Sequence, residues 1–249
     1  VSCNSDRGTR GLCDVDLEVY SGEILGLAGV SGNGQRELAE VMAGLRKPTS
    51  GKIYLEGENV TGYDPEKLTE RMLSYIPEER MRDGMIGDFS VTENMILREH
   101  KQPKFSNNGL LKLKDISVHT DQLIDQFQVK TPSQKTLAKS LSGGNIQKIV
   151  LARELSRKPR VIVAAQPTRG LDIGAAEYVR EQLLVQRKAA TAVLLISEDL
   201  DEIFALSDRI AVIYEGKIMD ILDRDQATRE KVGLLMAGVK SEEQAEVSL

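Results

Sequence analysis

Apolar and polar positions alternate over Val15, Leu17 and Val19, with Asp16 and Glu18 between them, the period-two pattern of a half-solvated strand. Residues 23–28 are apolar nearly throughout, as a buried strand would be. This run leads straight into a turn, Gly29-Val30-Ser31-Gly32-Asn33-Gly34. Leu38, Val41, Met42 and Leu45 then recur at helical spacing, and Gly44, Pro48 and Gly51 punctuate the end of that helix. Residues 52–55 and 73–76 read as further strands. Ser90-Val91-Thr92-Glu93 fits a capping box ahead of Met95 and Ile96. The polar stretch 101–108 reads as an exposed loop, and Leu123, Ile124 and Phe127 share one face of a helix.

Strands and helices alternate again after residue 157. Residues 161–165, 192–197 and 210–214 predict strands, 175–187 and 199–206 predict helices, and Glu215-Gly216 predicts a hairpin tip leading to a strand over 217–222. Such alternation implies right-handed crossovers and a parallel sheet. The expected organisation is an α/β core over residues 1–89 and 158–222, a helical insertion over 90–157, and a polar, fraying tail over 223–249. An opening at Val1 rather than Met suggests an excised domain.

Composition narrows the function classes. Of 249 residues, 41% are hydrophobic and 29% charged, which argues for a globular chain able to bury a large core. The net charge of -5 excludes a strongly basic, DNA-coating protein on charge alone, though not a local basic patch, and 4% aromatics without Trp argues against a base-stacking platform. No apolar run approaches the ~18–20 residues of a membrane span, and no secretory signal pattern opens the chain. Cys3 and Cys13 read as reduced thiols of a cytosolic protein rather than a disulfide framework. His100 and His119 lie in polar stretches without metal-ligand neighbours and read as surface residues. Met81, Met85 and Met95 read as core or interface filler.

Two segments carry candidate chemistry. A glycine-rich turn between a buried strand and a helix is the setting of a phosphate-binding loop, whose backbone N–H groups and helix N-terminus attract anions. The full pattern is G-x-x-x-x-G-K-[ST]. Gly29 and Gly34 match it, but Gln35 stands at the lysine and Arg36 at the hydroxyl position. The lysine would reach the β- and γ-phosphates, and the hydroxyl would bind magnesium. On its glycines alone the loop reads equally as an ordinary strand-to-helix turn. The second segment, Leu141-Ser142-Gly143-Gly144-Asn145, precedes an apolar helix and offers a hydroxyl and two glycine amides to an anion, or a simple serine N-cap.

The order of segments makes the chain resemble an ATP-binding cassette (ABC) domain from about residue 12 to residue 219. Leu141–Asn145 with Gln147 resembles the ABC signature, residues 160–166 a Walker B strand, Gly170-Leu171-Asp172 the D-loop, and Ile196-Ser197-Glu198 the switch strand. Tyr75-Ile76-Pro77-Glu78 lies where that family has its Q-loop. The resemblance implies a P-loop NTPase-like α/β fold with an antiparallel β subdomain, a parallel-sheet core and a helical insertion. It implies nucleotide contacts from Gly29, Ser31, Gly32, Asn33, Gly34, Gln35 and Arg36.

The chain departs from the family at several chemical positions. Ala165 replaces the magnesium-binding Asp of Walker B, and Gln166 replaces the catalytic Glu. Glu198 replaces the switch His, and Glu78 the Q-loop Gln. With Gln35 and Arg36, five roles in one hydrolytic site are altered, while the general base and charge stabilisation are each typically worth ~100-fold or more. No metal site of its own is expected, and the isolated domain is expected to be catalytically inactive. Binding of nucleotide with poor magnesium dependence stays open, because lost acidic residues and Arg36 offset the lost lysine. In the family two cassettes pair head to tail, so an intact signature can complete a partner's site with ATP and Mg2+ held mainly there.

Gly-Asn-Gly-Gln at 32–35, Ser-Val-Thr-Glu-Asn at 90–94 and Ala-Ala-Gln-Pro-Thr-Arg-Gly at 164–170 resemble the second cassette of fused tandem ATPases of simple-sugar and nucleoside importers, most nearly the nucleoside or basic-membrane-protein-type branch. This implies an N-terminally fused partner cassette, two membrane permease subunits docking near residues 78–89 in a groove between core and insertion, and a substrate-binding lipoprotein. It implies a place on the cytoplasmic face of the cell membrane, without nucleic acid. By charge alone residues 78–83 read rather as a solvated loop. Competing readings are a free-standing soluble P-loop nucleotide hydrolase or kinase, which needs the missing Lys and magnesium ligands, and a soluble ABC protein of DNA repair or translation, which needs a coiled coil or a basic face.

Overall fold

The computed structural model describes residues Val1–Val239. Its strands are β1 (Cys3–Asn4), β2 (Arg10–Leu12), β3 (Ile24–Ala28), β4 (Tyr54–Leu55), β5 (Glu58–Asn59), β6 (Leu73–Ile76), β7 (Ser106–Asn107), β8 (Leu110–Leu111), β9 (Val161–Ala165), β10 (Ala192–Ser197), β11 (Arg209–Tyr214) and β12 (Lys217–Asp223). Its α-helices are α1 (Gln35–Met42), α2 (Pro65–Glu70), α3 (Val91–Met95), α4 (Leu113–Gln126), α5 (Gly143–Leu155), α6 (Ile173–Lys188), α7 (Leu200–Leu206) and α8 (Arg229–Met236).

The described residues form two compact units. One holds Val1–Tyr75, Arg160–Gln166 and, among the described residues, 184–239; the other holds Ile76–Pro159 and Pro167–Leu183. The first unit is built on a six-stranded sheet of order β12-β11-β3-β10-β9-β6. β3 is parallel to β10 and β11, and β9 to β10, while β12 returns antiparallel to β11. The central strands are buried at every position because helices cover both faces. On one face Leu38, Ala39 and Val41 of α1 pack with Leu25, Leu27, Val163 and Leu194. On the other, α7 lies so close to β3 that a Cβ at Gly26 would collide with Ser207 and Ile203. Leu194 is wholly buried in this core. Leu194→Ala is expected to cost ~2–5 kcal/mol. Thermal melting should show it, each kcal/mol being worth about 2–4 °C in a chain of this size.

Several expectations are corrected. Val15 is buried between exposed acidic neighbours and exchanges both backbone hydrogen bonds with Val1, but residues 15–19 belong to no strand ladder. Side-chain alternation needs only an extended backbone, whereas a strand needs a partner for its N–H and C=O groups. Before α2 the antiparallel pairing is confined to two short pairs, β1–β2 and β4–β5. The expected loop at 101–108 contributes β7 to a hairpin with β8 and buries Phe105. The expected tail forms β12's last residue and α8, whose Val232 and Leu235 are buried. Residues 240–249 of that tail lie outside the described residues.

The second unit contains α3, α4, α5 and the β7–β8 hairpin. The capping box forms, with Ser90 Oγ accepting from Glu93 N–H and the Glu93 carboxylate from Ser90 N–H. The sequence reading divides the chain at 89/90 and 157/158, but packing groups 76–89 and 167–183 with the helices. Ala138 N–H donates to Phe89 O and Lys139 N–H to Gly87 O. Met85 and Met95 are core, and Met81 is exposed. Glu154, wholly buried, accepts from Arg98 and Arg153 at 3.2 and 2.9 Å, and the surrounding arginines hold its carboxyl ionised against burial.

His119 is a correction as well. It is half-buried, tilted against Phe105 with ring centroids 4.9 Å apart, and its Nε2 lies 3.9 Å from Glu99. Burial first, and then the Lys104 ammonium, hold it below its ordinary 6.5, with Glu99 pulling the other way. The unfolded chain therefore takes up this proton first as pH falls, so stability is lost from pH 6.5 downward. Melting at about pH 7 and about pH 5 should show a smaller acid loss for His119→Leu than for the parent.

Candidate functional site

Within the first unit, β3, β10 and β9 are neighbours and their carboxyl ends share one edge, with Ser197 opposite Ala28 and Ile196 opposite Ala165. That edge of an open parallel sheet is where such folds bind ligands. The sequence places there the Gly29–Arg36 loop, the Ala165-Gln166 pair and Glu198.

The loop is closed by its own side chains. Gly34 takes φ +106 and serves as the N-cap of α1, a conformation that a Cβ would strain, and a Cβ there would stand 2.8 Å from Gly11 O. Gln35, at the first position of α1, is buried. Its Oε1 accepts from Asn33 N–H at 3.0 Å, and its Nε2 donates to Val30 O at 2.9 Å. At Gly29 a Cβ would lie 2.7 Å from that Nε2. Asn33 in turn accepts from Glu215 N–H and, through its carbonyl, from Gly216 N–H. The Asn33 N–H is thus already satisfied within the loop, by the neutral Gln35 carboxamide and by Val30 O. Ser31 and Gly32 remain exposed.

Arg36 does not supply the missing charge to this loop. Its Nε donates to Glu40 at 2.7 Å, and Nη1 lies 3.4 Å from Asp6. At the strand ends Ala165 is a buried methyl group without ligand chemistry. Gln166 has φ +47, its N–H donates to Ile196 O, and its Oε1 accepts from Glu198 N–H at 3.2 Å. A carboxamide so held can orient a group but cannot take a proton. Glu198 is exposed and adds negative charge to this edge.

The second unit holds a different kind of site. Ser142 occupies the N-cap of α5, but its side chain makes no capping bond. Instead Ser142 Oγ accepts from Asn145 Nδ2 at 3.0 Å, which leaves its O–H proton as a donor. Asn145 Oδ1 accepts from Lys130 N–H at 2.8 Å, so the asparagine is fixed from both ends. Gly143 and Gly144 begin a 13-residue helix whose first N–H groups this serine leaves uncapped. Gln147 is buried beneath and donates to Pro167 O at 2.8 Å. That bond ties the cluster to the segment bearing Gly170, Leu171 and Asp172. Asp172 Oδ1 accepts from Ala175 N–H and caps α6, while Ile173 beside it is 84% exposed.

The residues 78–83 contain contacts that the charge pattern does not reveal. Arg80 Nη1 donates to Arg169 O at 2.7 Å and Nη2 to Gly170 O at 3.3 Å. A Cβ on Gly143 would come 3.1 Å from the same Nη2. Glu78 forms an ion pair with Arg169. Arg80 and Arg169 lie in segments the sequence singles out, 78–83 and 164–170, but neither is given a role in the site there. A basic side chain aimed at carbonyls 89 and 90 positions away leaves no local signal.

A family model described as ABC transporter matches residues 12–169. The chain is 45% identical over 240 residues to the glucose import ATP-binding protein TsgD13 of Haloferax volcanii, covering 96% of this chain and 44% of that protein. It is 44% identical over 243 residues to the guanosine import ATP-binding protein NupO of Bacillus subtilis, covering 98% and 48%. The nucleoside import ATP-binding protein NupA of Lactococcus lactis is 41% identical over 96% of this chain and 47% of its own length. The chain thus spans about half the length of the curated relatives it matches. Its fold is similar to that of a dimeric ATP-binding cassette in a post-hydrolysis state bound to ADP and Pi, with TM-score 0.73, 20% identity, and coverage of 90% of this chain and 95% of that one.

Proposed function

We propose, from the premise that this chain belongs to the ABC transporter family, that it is the non-hydrolysing member of a pair of cassettes and that its signature completes the partner's ATP site. The observation that carries this reading is the contrast between the two candidate sites. Ser142, Gly143 and Gly144 offer a hydroxyl donor and an uncapped helix start, whereas the chain's own loop is filled by Gln35 and lacks a general base at Gln166. The fold comparison with a cassette dimer bound to ADP and Pi supports the ligand class only through the family.

The partner cassette would precede this one in a longer polypeptide, consistent with relatives about twice its length. The exposed Ile173 beside Asp172 would meet that partner. Met81, Ile86 and Phe89, at 40%, 41% and 37% exposure, would meet a permease subunit along residues 78–89. Among the described residues no helix is long and apolar enough to cross a membrane; the permeases would supply the span, and the chain would sit at the cytoplasmic face. The transported molecule would be a nucleoside or simple sugar, the cargo named for the relatives, delivered by a binding lipoprotein. Mg2+ would be held at the partner's site, since Arg36 and Ala165 offer no ligand oxygen.

Calorimetric titration of ATP into this chain tests the reading. Binding is expected to be weak and to change less than about threefold on adding Mg2+, because the two magnesium-binding side chains of the phosphate-loop scheme are absent. Tight binding that requires Mg2+ would overturn it.

A further inference from the structure

Glu78, Arg80 and Arg169 form a closed set of contacts joining three segments of the second unit. Arg80 spends both ends of its guanidinium fork on the carbonyls of Arg169 and Gly170. The same guanidinium lies beside Gly143, where an added Cβ would stand 3.1 Å from Nη2. Arg169 is turned back by its ion pair with Glu78, two residues before Arg80. A planar fork holding two successive carbonyls sets the distance and the tilt of a turn, which a point charge does not. The turn it holds runs into Asp172, and the residue it lies beside opens α5.

We propose that Glu78 and Arg80 are positioning residues for the partner's ATP site: they latch the Arg169–Gly170 turn to the start of α5. The latch sets where the Ser142–Gly144 donors stand relative to the Gly170–Asp172 turn. Movement of the residue 77–89 segment would then reach the nucleotide through this latch. This inference rests on the proposed use of the signature. Glu78 thereby has a task of its own, holding Arg169, in place of any task at this chain's own loop. Arg80 and Arg169 touch no nucleotide in this scheme; they act through the geometry of neighbouring donors.

The test is a charge-swap series in the full polypeptide assembled with its membrane subunits in proteoliposomes, reading kcat and KM for ATP with and without transported substrate. Glu78→Arg and Arg169→Glu are each expected to lower substrate-stimulated kcat roughly 10- to 100-fold, the cost of misplacing donors by about 1 Å, with KM for ATP changed less than about threefold. The double swap restores the ion pair and should return kcat to within about threefold of the parent. Arg80→Lys keeps the charge but loses the fork and should stay low. A merely structural role would lower melting temperature and expression without separating kcat from KM, and that result would overturn the latch. Parent-like kcat in both single variants, or no recovery in the double swap, would overturn it too. Ser142→Arg in the same preparation separates the two readings. If it leaves turnover intact, the signature reading fails. If it blocks turnover while the charge variants are silent, only the latch fails.

Discussion

Ser142→Arg in the assembled transporter is expected to cut ATP turnover by at least ~100-fold, the scale set by removing one preorganised donor from a developing charge. The substitution removes the hydroxyl that Asn145 holds in place. It also puts a long side chain at the mouth of α5, where the Arg80 guanidinium already stands against Gly143. The new cation opposes the positive end of the helix, a smaller effect of ~0.3–1 kcal/mol. Folding should therefore survive, and melting temperature should change little while turnover collapses. Ser142→Ala is the gentler companion: it removes the donor without filling the space and should retain more activity. ATPase assays in proteoliposomes check both. Turnover unchanged by the arginine would show that no nucleotide meets this end of α5.

The isolated chain is expected to hydrolyse ATP at least ~100-fold more slowly than an ordinary enzyme turning over at 1–10 per second. Four features of the first unit act together. The loop's Asn33 N–H is occupied by Gln35, Arg36 is committed to Glu40 and Asp6, Ala165 binds no metal, and Gln166 cannot take a proton. Because the losses belong to one reaction, repairing one of them leaves the others limiting. Gln166→Glu alone is thus expected to remain inactive, as is Gln35→Lys alone. Single-turnover assays with radiolabelled ATP have the range to see this. A rate near 1 per second from the unmodified chain would overturn the reading.

Burial on both faces made the core legible in the sequence. Val161–Ala165 and Ala192–Ser197 were readable to the residue, since strands covered on both faces are apolar nearly throughout. The Ser90–Glu93 capping box was legible because its partners are three residues apart. Residues 15–19 misled, because alternation reports which side is wet and not whether a neighbouring strand exists. Phe105 and α8 were hidden in polar surroundings, where one or two apolar residues suffice to dock a short segment.

The sequence by itself determined the α/β architecture, the order of the two glycine-bearing turns, and the absence of acidic side chains at Ala165 and Gln166. These are properties of residue type and local spacing, and no packing arrangement can restore a missing carboxylate. Only the tertiary structure decided what the remaining polar side chains do. It turned Gln35 back onto its own loop, gave Arg36 to Asp6 from across thirty positions, and paired Glu78 with Arg169 across 91. A side chain's charge is written in the chain, but its partner is chosen by whichever opposite group folding brings within about 4 Å.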